Sequence, residues 1–299
     1  MTPPPFPVPR PVVTGATGFV GARVAALLGE PVTARLGAPE WREAVAALDL
    51  AGATVIHLAA RVHAPGATEA GFDADNVAKT AALAQAAADA GAARFVFAST
   101  VKVFGEESGA RPFTEADAVD PRDAYARSKW RAEQALADIA RARGLPVVVL
   151  RIPLVYGPGA GGNFRALARL ADTAWWLPLG AIANRRSVVQ VDDLAQALVA
   201  AAGAPGIGGR TYAVAHPEPM STTRLVEAMR RALGRPRRLF AVPPALLEAA
   251  GALAGRGDRV RRLTRSLEVD AAAFSRDTGW RARAGLEDGV ADALRGAAA

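Results

Sequence analysis

The 299-residue chain contains no cysteine. That excludes thiolate catalysis, Cys-ligated zinc and disulfides. Histidine is scarce, with His57, His63 and His216 scattered and without acidic companions, so no metal site is expected. His57 lies in an apolar run and reads as core, whereas His63 and His216 read as loop residues. Long apolar runs are also missing: Gly, Pro or charge interrupts each before it reaches membrane-spanning length. The N-terminal 1–11 are proline-rich and lack the apolar stretch of a signal peptide, which points to a soluble, cytoplasmic protein. Lysine is nearly absent. Lys79, Lys102 and Lys129 are the only lysines among 36 basic residues, so a lysine here marks a position suited to a compact ammonium.

Hydrophobic residues make up 51% of the sequence, enough for one large α/β domain plus a smaller lobe. The net charge of +7 raises nucleic acid as a partner. The arginines, however, are spread along helices with acids between them, and only 256–265 is densely basic. Solvated faces account for such a pattern better than a nucleic-acid groove does. A basic surface also suits a diphosphate-bearing substrate.

The stretch Val12-Val13-Thr14-Gly15-Ala16-Thr17-Gly18-Phe19-Val20-Gly21 leads from a β-branched run into a helix. Gly15 permits a tight turn, Gly18 lets backbone N–H groups approach a pyrophosphate, and Gly21 lets helix and strand pack closely. The helix N-terminus adds partial positive charge. Strands are expected at 31–36, 53–59, 94–99 and 146–152, with helices at 40–50, 70–90 and 123–143 between them. Too few residues separate 31–36 from 53–59 for a further strand, so the sheet should be short on that side. From Pro153 the texture turns to Gly/Pro-rich loops, although 187–191 and 211–215 still read as strands near the sheet. Ser221 is the candidate N-cap of a helix over 221–233.

The expected fold is therefore α/β, a Rossmann-type doubly wound parallel sheet with a smaller, discontinuous substrate lobe. The dinucleotide-binding part spans 1–157, with 185–216 returning to it, and the lobe comprises 158–184 and 217–299.

In Tyr125-Ala126-Arg127-Ser128-Lys129, the i and i+4 positions share one helical face. An ammonium there lowers a phenol's pKa and makes it an acid/base group near neutrality, and a cationic nicotinamide would help further. Thr100 falls at the carboxyl end of a strand, where open α/β sheets bind ligands, and can hydrogen-bond a substrate oxygen. Trp175-Trp176 is expected in the lobe core, with stacking on a sugar or uracil as the other use. Arg35 stands at the end of the second strand, where an NAD site usually has an acid. It could meet the 2′-phosphate of NADP or stand free in solvent.

The glycine stretch, His57-Leu58-Ala59-Ala60, Ser99-Thr100, Tyr125-x-x-x-Lys129 and Tyr156-Gly157-Pro158-Gly159 come in a characteristic order. In that order and spacing the chain resembles the extended short-chain dehydrogenase/reductases, in particular the nucleotide-sugar branch with its 4-epimerases and 4-keto-sugar reductases. The resemblance implies Tyr125 as proton-transferring group, Lys129 as its activator and a ribose ligand, and Thr100 as the hydroxyl orienting the sugar. It implies a cofactor, NAD or NADP, along Gly15, Thr17, Gly18, Phe19, Val20 and Gly21, and along Leu58, Ala59, Ala60 and Ser99. Asn76 matches a helix Asn near the cofactor, although an amide satisfying local backbone is an equal use. Asn163, Arg186 and either Arg261 or Arg262 match diphosphate ligands. Lys102, two residues past Thr100, faces the sugar or a phosphate, or is simply solvated. Dehydratases of this branch carry Asp-Glu after the catalytic Thr; Val101-Lys102 here argues against dehydration.

These features lead to redox chemistry at C4 of a UDP-linked hexose by a 4-epimerase, with an NADPH-dependent 4-ketoreductase as the alternative. A non-catalytic NAD(P)-binding partner subunit is a third reading, weakened by the complete Thr100, Tyr125 and Lys129 set. The resemblance further implies a homodimer packed through 70–90 and 123–143.

Overall fold

The computed structural model describes residues 6–62, 66–283 and 285–295; His63 and the terminal alanines fall outside them. The strands are β1 (Pro11–Thr14), β2 (Val32–Ala34), β3 (Thr54–His57), β4 (Arg94–Thr100) and β5 (Val147–Ile152), followed by β6 (Leu154–Tyr156), β7 (Val188–Gln190) and β8 (Arg210–Ala213). Between and after them run α1 (Gly21–Leu28), α2 (Trp41–Ala46), α3 (Glu69–Asp73), α4 (Lys79–Asp89), α5 (Ala124–Arg143) and α6 (Gly162–Ala171). The remaining helices are α7 (Val191–Gly203), α8 (Thr222–Ala232), α9 (Pro244–Leu253), α10 (Gly257–Thr264), α11 (Ala272–Thr278) and α12 (Leu286–Arg295).

Six strands form a parallel sheet in the order β2-β1-β3-β4-β5-β8. Successive residues of each strand feed opposite cores, which is why the strands read as unbroken apolar runs. Val13, Ile56, Val96 and Val148 pack with Val24 of α1 and Leu194 and Leu198 of α7. Val12, Val55, Phe95 and Val147 pack on the other face with Trp41 of α2, Leu83 of α4 and Leu136 of α5. The Rossmann-type doubly wound sheet is thus present. Past β2 the chain crosses through α2 alone to β3 on the far side of β1, leaving β2 at the edge and the sheet short on that side.

Several elements differ from expectation. Helix 70–90 is interrupted by a π-helical segment, Ala74–Ala78, between α3 and α4. The strand at 187–191 is β7, and it pairs with β6 in a separate two-stranded sheet. Pro153 divides β5 from β6 and, having no N–H to donate to a ladder, marks where the chain leaves the main sheet. The small lobe has its own core, in which Tyr156 and Val188 meet Phe164 of α6, Val226 and Met229 of α8 and Val290 of α12. The tail assigned to that lobe is shared: Phe274 and Trp280 pack into the main-sheet core instead. Ser221 caps α8 as expected, accepting from the Arg224 N–H at 3.1 Å.

Candidate active site

The direction of winding reverses between β1 and β3, the place where open α/β sheets hold ligands. Gly15 turns the chain there with φ of +72°, and a Cβ on it would stand 2.7 Å from the Ala59 N. A Cβ on Gly21 would stand 2.0 Å from the Gly15 carbonyl oxygen. Both positions therefore require glycine, and the loop after β1 lies directly against Leu58 and Ala59. No side chain caps α1 and its first turn carries no acid, so the helix N-terminus is set for an anion. These residues fit a dinucleotide diphosphate. The Gly18 N–H closes the turn onto the Gly15 carbonyl at 2.9 Å. Thr17 is exposed, Val20 is half-buried against the sheet core, and Phe19 leans toward Gly159 of the small lobe. A contact without a sequence signal joins the same parts: Arg23 donates to Asp192 at 3.1 Å and to the Pro158 carbonyl at 3.2 Å.

Thr100 ends β4, and Asp123 caps α5, which carries Tyr125 in its first turn, by accepting from the Ala126 N–H at 2.7 Å. Burial pushes the Tyr125 phenol above its ordinary pKa, and the nearby Asp123 carboxylate adds to this. A hydrogen bond from the Thr100 hydroxyl works the other way. Lys129 is buried, its Nζ donates to the Ala98 carbonyl at 2.7 Å and lies 4.4 Å above the Phe97 ring. Burial pulls its ammonium down to about 7, with Glu133 opposing. The expectation that Lys129 depresses the phenol's pKa is therefore corrected for the chain alone. The ammonium is bound to a strand carbonyl and is itself depressed, so desolvation of the phenol and Asp123 dominate.

Beneath the site are buried polar groups, of which Glu133 and Arg151 had no role in the sequence reading. Ser99, assigned to the cofactor, gives its hydroxyl to Glu133 at 2.5 Å. Glu133 in turn pairs with Arg151 at 2.7 Å, with both side chains about 95% buried. Arg151 caps the arrangement by stacking 4.5 Å over Phe104. His57 is core, as expected, and bridges Thr14 Oγ1 at 2.6 Å and Thr80 Oγ1 at 2.8 Å. Burial, with Lys129 nearby, holds the imidazole neutral by lowering its pKa to about 3. Asn76 lies in the π-helical segment and donates to the Arg61 carbonyl and to Ser128 Oγ, at 3.0 and 2.9 Å. Its Oδ1 accepts the Arg61 N–H at 2.8 Å, so the amide fixes the loop after Ala60 and reaches the helix turn between Tyr125 and Lys129.

Charged residues gather at the crevice mouth. Lys102 pairs with Asp123 and, at 2.9 Å, with Glu106. Arg262 approaches Glu106 at 3.7 Å. Burial lowers the pKa of Arg186, Glu106 opposes this and Arg262 adds to it, so Arg186 and Arg262 converge. Arg261 instead pairs with the exposed Asp258, which separates the two candidates. Lys102 is thus ion-paired, and its reading as a simply solvated lysine is corrected. Asn163 is exposed in the first turn of α6. Arg35 is exposed immediately after β2. Lys79 pairs with Asp75 at 2.6 Å. Trp175 and Trp176 are 72% and 64% exposed, which corrects their placement in the lobe core. Among the described residues, no cluster of three or more potential metal ligands occurs and no helix is long and apolar enough to cross a membrane.

Residues 12–215 match the NAD dependent epimerase/dehydratase family. A UDP-glucose 4-epimerase of Vibrio cholerae is 35% identical over 241 residues, covering 79% of this chain and 74% of the relative. A dTDP-4-dehydrorhamnose reductase of Mycobacterium tuberculosis is 35% identical over 220 residues, covering 69% and 70%. Among solved structures, a UDP-glucose 4-epimerase of Thermotoga maritima with UDP-glucose superposes with a TM-score of 0.77 at 20% identity, over 96% of this chain and 98% of the other. RMD of Pseudomonas aeruginosa with NADPH gives 0.75 at 22% identity, over 96% and 99%. The match spans both the glycine cradle and the Tyr125 helix, and the chain belongs to the NAD-dependent epimerase/dehydratase family.

Proposed function

We propose that this chain is a UDP-hexose 4-epimerase that uses a bound NAD(P). The observation that carries the reading is the meeting of Tyr125 and Thr100 beside the Gly15–Gly21 cradle, with Lys129 buried one helical turn on. A bound oxidised nicotinamide would supply the acceptance and return of a hydride, and a positive charge that lowers the phenol's pKa. Tyr125 takes the proton from the C4 hydroxyl and returns it to the same oxygen. The Thr100 hydroxyl holds that oxygen at the phenol, and Lys129, anchored on the Ala98 carbonyl, supplies positive charge beneath the site. Arg186 and Arg262 hold the UDP diphosphate at the crevice mouth, where converging guanidinium groups suit paired phosphates. Lys102 keeps Asp123 neutralised beside Tyr125. The small lobe closes over the nucleotide, and the enzyme works in the cytoplasm as a homodimer.

A second reading, an NADPH-dependent 4-ketoreductase, is favoured by the exposed Arg35 after β2. A protonated Tyr125 with a raised pKa also suits donation to a ketone oxygen. Denaturing freshly purified protein and identifying the released nucleotide separates the two. Stoichiometric NAD, together with interconversion of UDP-glucose and UDP-galactose without added cofactor, is expected for the epimerase. An empty protein that binds NADPH over NADH and turns over only with a 4-keto sugar nucleotide would establish the reductase. Failure to bind either dinucleotide would overturn both.

A further inference from the structure

Two features have no part in the chemistry above: the exposed tryptophans and the outer side of α9. Helix α9, Pro-Ala-Leu-Leu-Glu-Ala-Ala-Gly-Ala-Leu, has one charge, Glu248, and that charge is turned inward. Its carboxylate accepts from Arg265 at 2.7 and 2.9 Å and from the Thr264 hydroxyl at 2.6 Å. Leu247 faces the lobe core. Gly251 lies so close to α10 that a Cβ would come within 2.5 Å of Val260. What remains for solvent is an apolar stripe at i, i+3, i+4 and i+7: Leu246, Ala249, Ala250 and Leu253, with the two leucines 61% and 91% exposed.

The chain entering α9 is apolar on its surface too. Phe240, 45% exposed, follows Leu239, which bridges to Leu177 immediately after Trp175-Trp176. Beyond α9, Arg256 and Arg259 lie near Ala252 and Ala254 at its C-terminal end and have no side-chain partner among the described residues, while Asp258 is neutralised by Arg261. Exposed leucines and tryptophans beside unpaired arginines match an element that lies in a membrane interface, apolar side down, with its cations among the headgroups. The ten residues of α9 are about 15 Å long, right for lying on a bilayer and far too short to cross one. A two-fold contact between copies centred on this stripe would bring the arginines of one copy toward those of the other.

We propose that the outer face of α9, with Arg256 and Arg259, docks the protein peripherally on an anionic lipid bilayer. Helix α10 also carries Arg262 of the crevice mouth, so docking sets that mouth beside the membrane surface. The proposal does not depend on which sugar-nucleotide reaction the crevice performs.

The test is co-sedimentation of the full-length protein with vesicles of pure phosphatidylcholine, and with vesicles of phosphatidylcholine and phosphatidylglycerol in equal parts. Binding to the anionic vesicles only, with a blue shift of tryptophan emission and release by salt, is expected. Arg256→Gln with Arg259→Gln should weaken the partition by roughly thirtyfold, from the usual contribution of two juxtamembrane arginines. Leu246→Glu with Leu253→Glu should abolish binding while the secondary structure and turnover of the soluble protein stay as in the parent. Equal sedimentation with neutral vesicles, no sedimentation with either, or unchanged binding by the leucine variant would overturn the proposal. So would a dimer that these leucine substitutions split in the absence of vesicle binding, since the stripe would then be covered by a second copy.

Discussion

Lysine 129 should hold the dinucleotide-free protein below its attainable stability at neutral pH. Burial draws its ammonium from 10.5 to about 7 in the folded chain, whereas the unfolded chain returns it to the ordinary value. Between those values the unfolded state binds one more proton than the folded state. Stability therefore rises with pH by up to ~1.4 kcal/mol per pH unit through this window, and the contribution is lost as pH falls through about 7. Integrated from pH 7 to pH 9, the group contributes about 2 kcal/mol of added stability. Lys129→Met removes the titration and the buried charge together. Its stability advantage over the parent should be largest near pH 7 and should narrow by about 2 kcal/mol at pH 9. Packing and hydrogen-bond losses are common to both pH values and cancel in this comparison. His57, held neutral with a pKa of about 3, does not titrate in the window when folded and barely does when unfolded. Urea unfolding of both proteins at the two pH values reads the difference directly. A pH-independent difference, or one that widens toward pH 9, would refute the assignment of a depressed Lys129.

Other perturbations test neighbouring parts. Glu133→Ala leaves the buried Arg151 guanidinium without its counter-charge, and urea midpoints should report a loss of about 3–5 kcal/mol. Gly21→Ala would ordinarily favour a helix start by a few tenths to about 1 kcal/mol. Here its Cβ collides with the Gly15 carbonyl, so calorimetry should instead show dinucleotide affinity falling at least about tenfold. Arg35→Ser should weaken NADPH by about tenfold to a hundredfold and leave NADH unchanged, from the loss of a charge-assisted contact, if the 2′-phosphate lies there. Equal loss for both dinucleotides would remove Arg35 from that role.

The parts of the site written into short stretches of sequence were legible. The glycine spacing located the cradle, the short interval between 31–36 and 53–59 gave the truncated sheet edge, and the i, i+4 spacing aligned Tyr125 with Lys129 on α5. What resisted reading depends on register and burial. Arg151 interrupts an apolar strand with a charge that looks misplaced until β4 and β5 are paired, when it falls opposite Ser99 and reaches Glu133 on α5. Lys129 looked like a simple cation because spacing cannot reveal that its ammonium lies on the Phe97 ring under a strand carbonyl. The π-helical segment has no pattern of its own, and the contacts that Asn76 makes from it, to Arg61 and Ser128, join residues distant in sequence. Trp175 and Trp176 were misplaced because hydrophobicity indicates preference for burial and says nothing about whether neighbours are available.

The most direct test of the central claim is turnover of Tyr125→Phe measured alongside its dinucleotide binding. The phenyl ring keeps the contact with Phe72, whose centroid lies 6.3 Å from that of Tyr125, and removes only the hydroxyl that meets Thr100. The account predicts unchanged NAD(P) affinity with interconversion of UDP-hexoses reduced by at least about a thousandfold, in the range of lost acid–base catalysis. Turnover within a few fold of the parent would contradict it and move the proton transfer to another group.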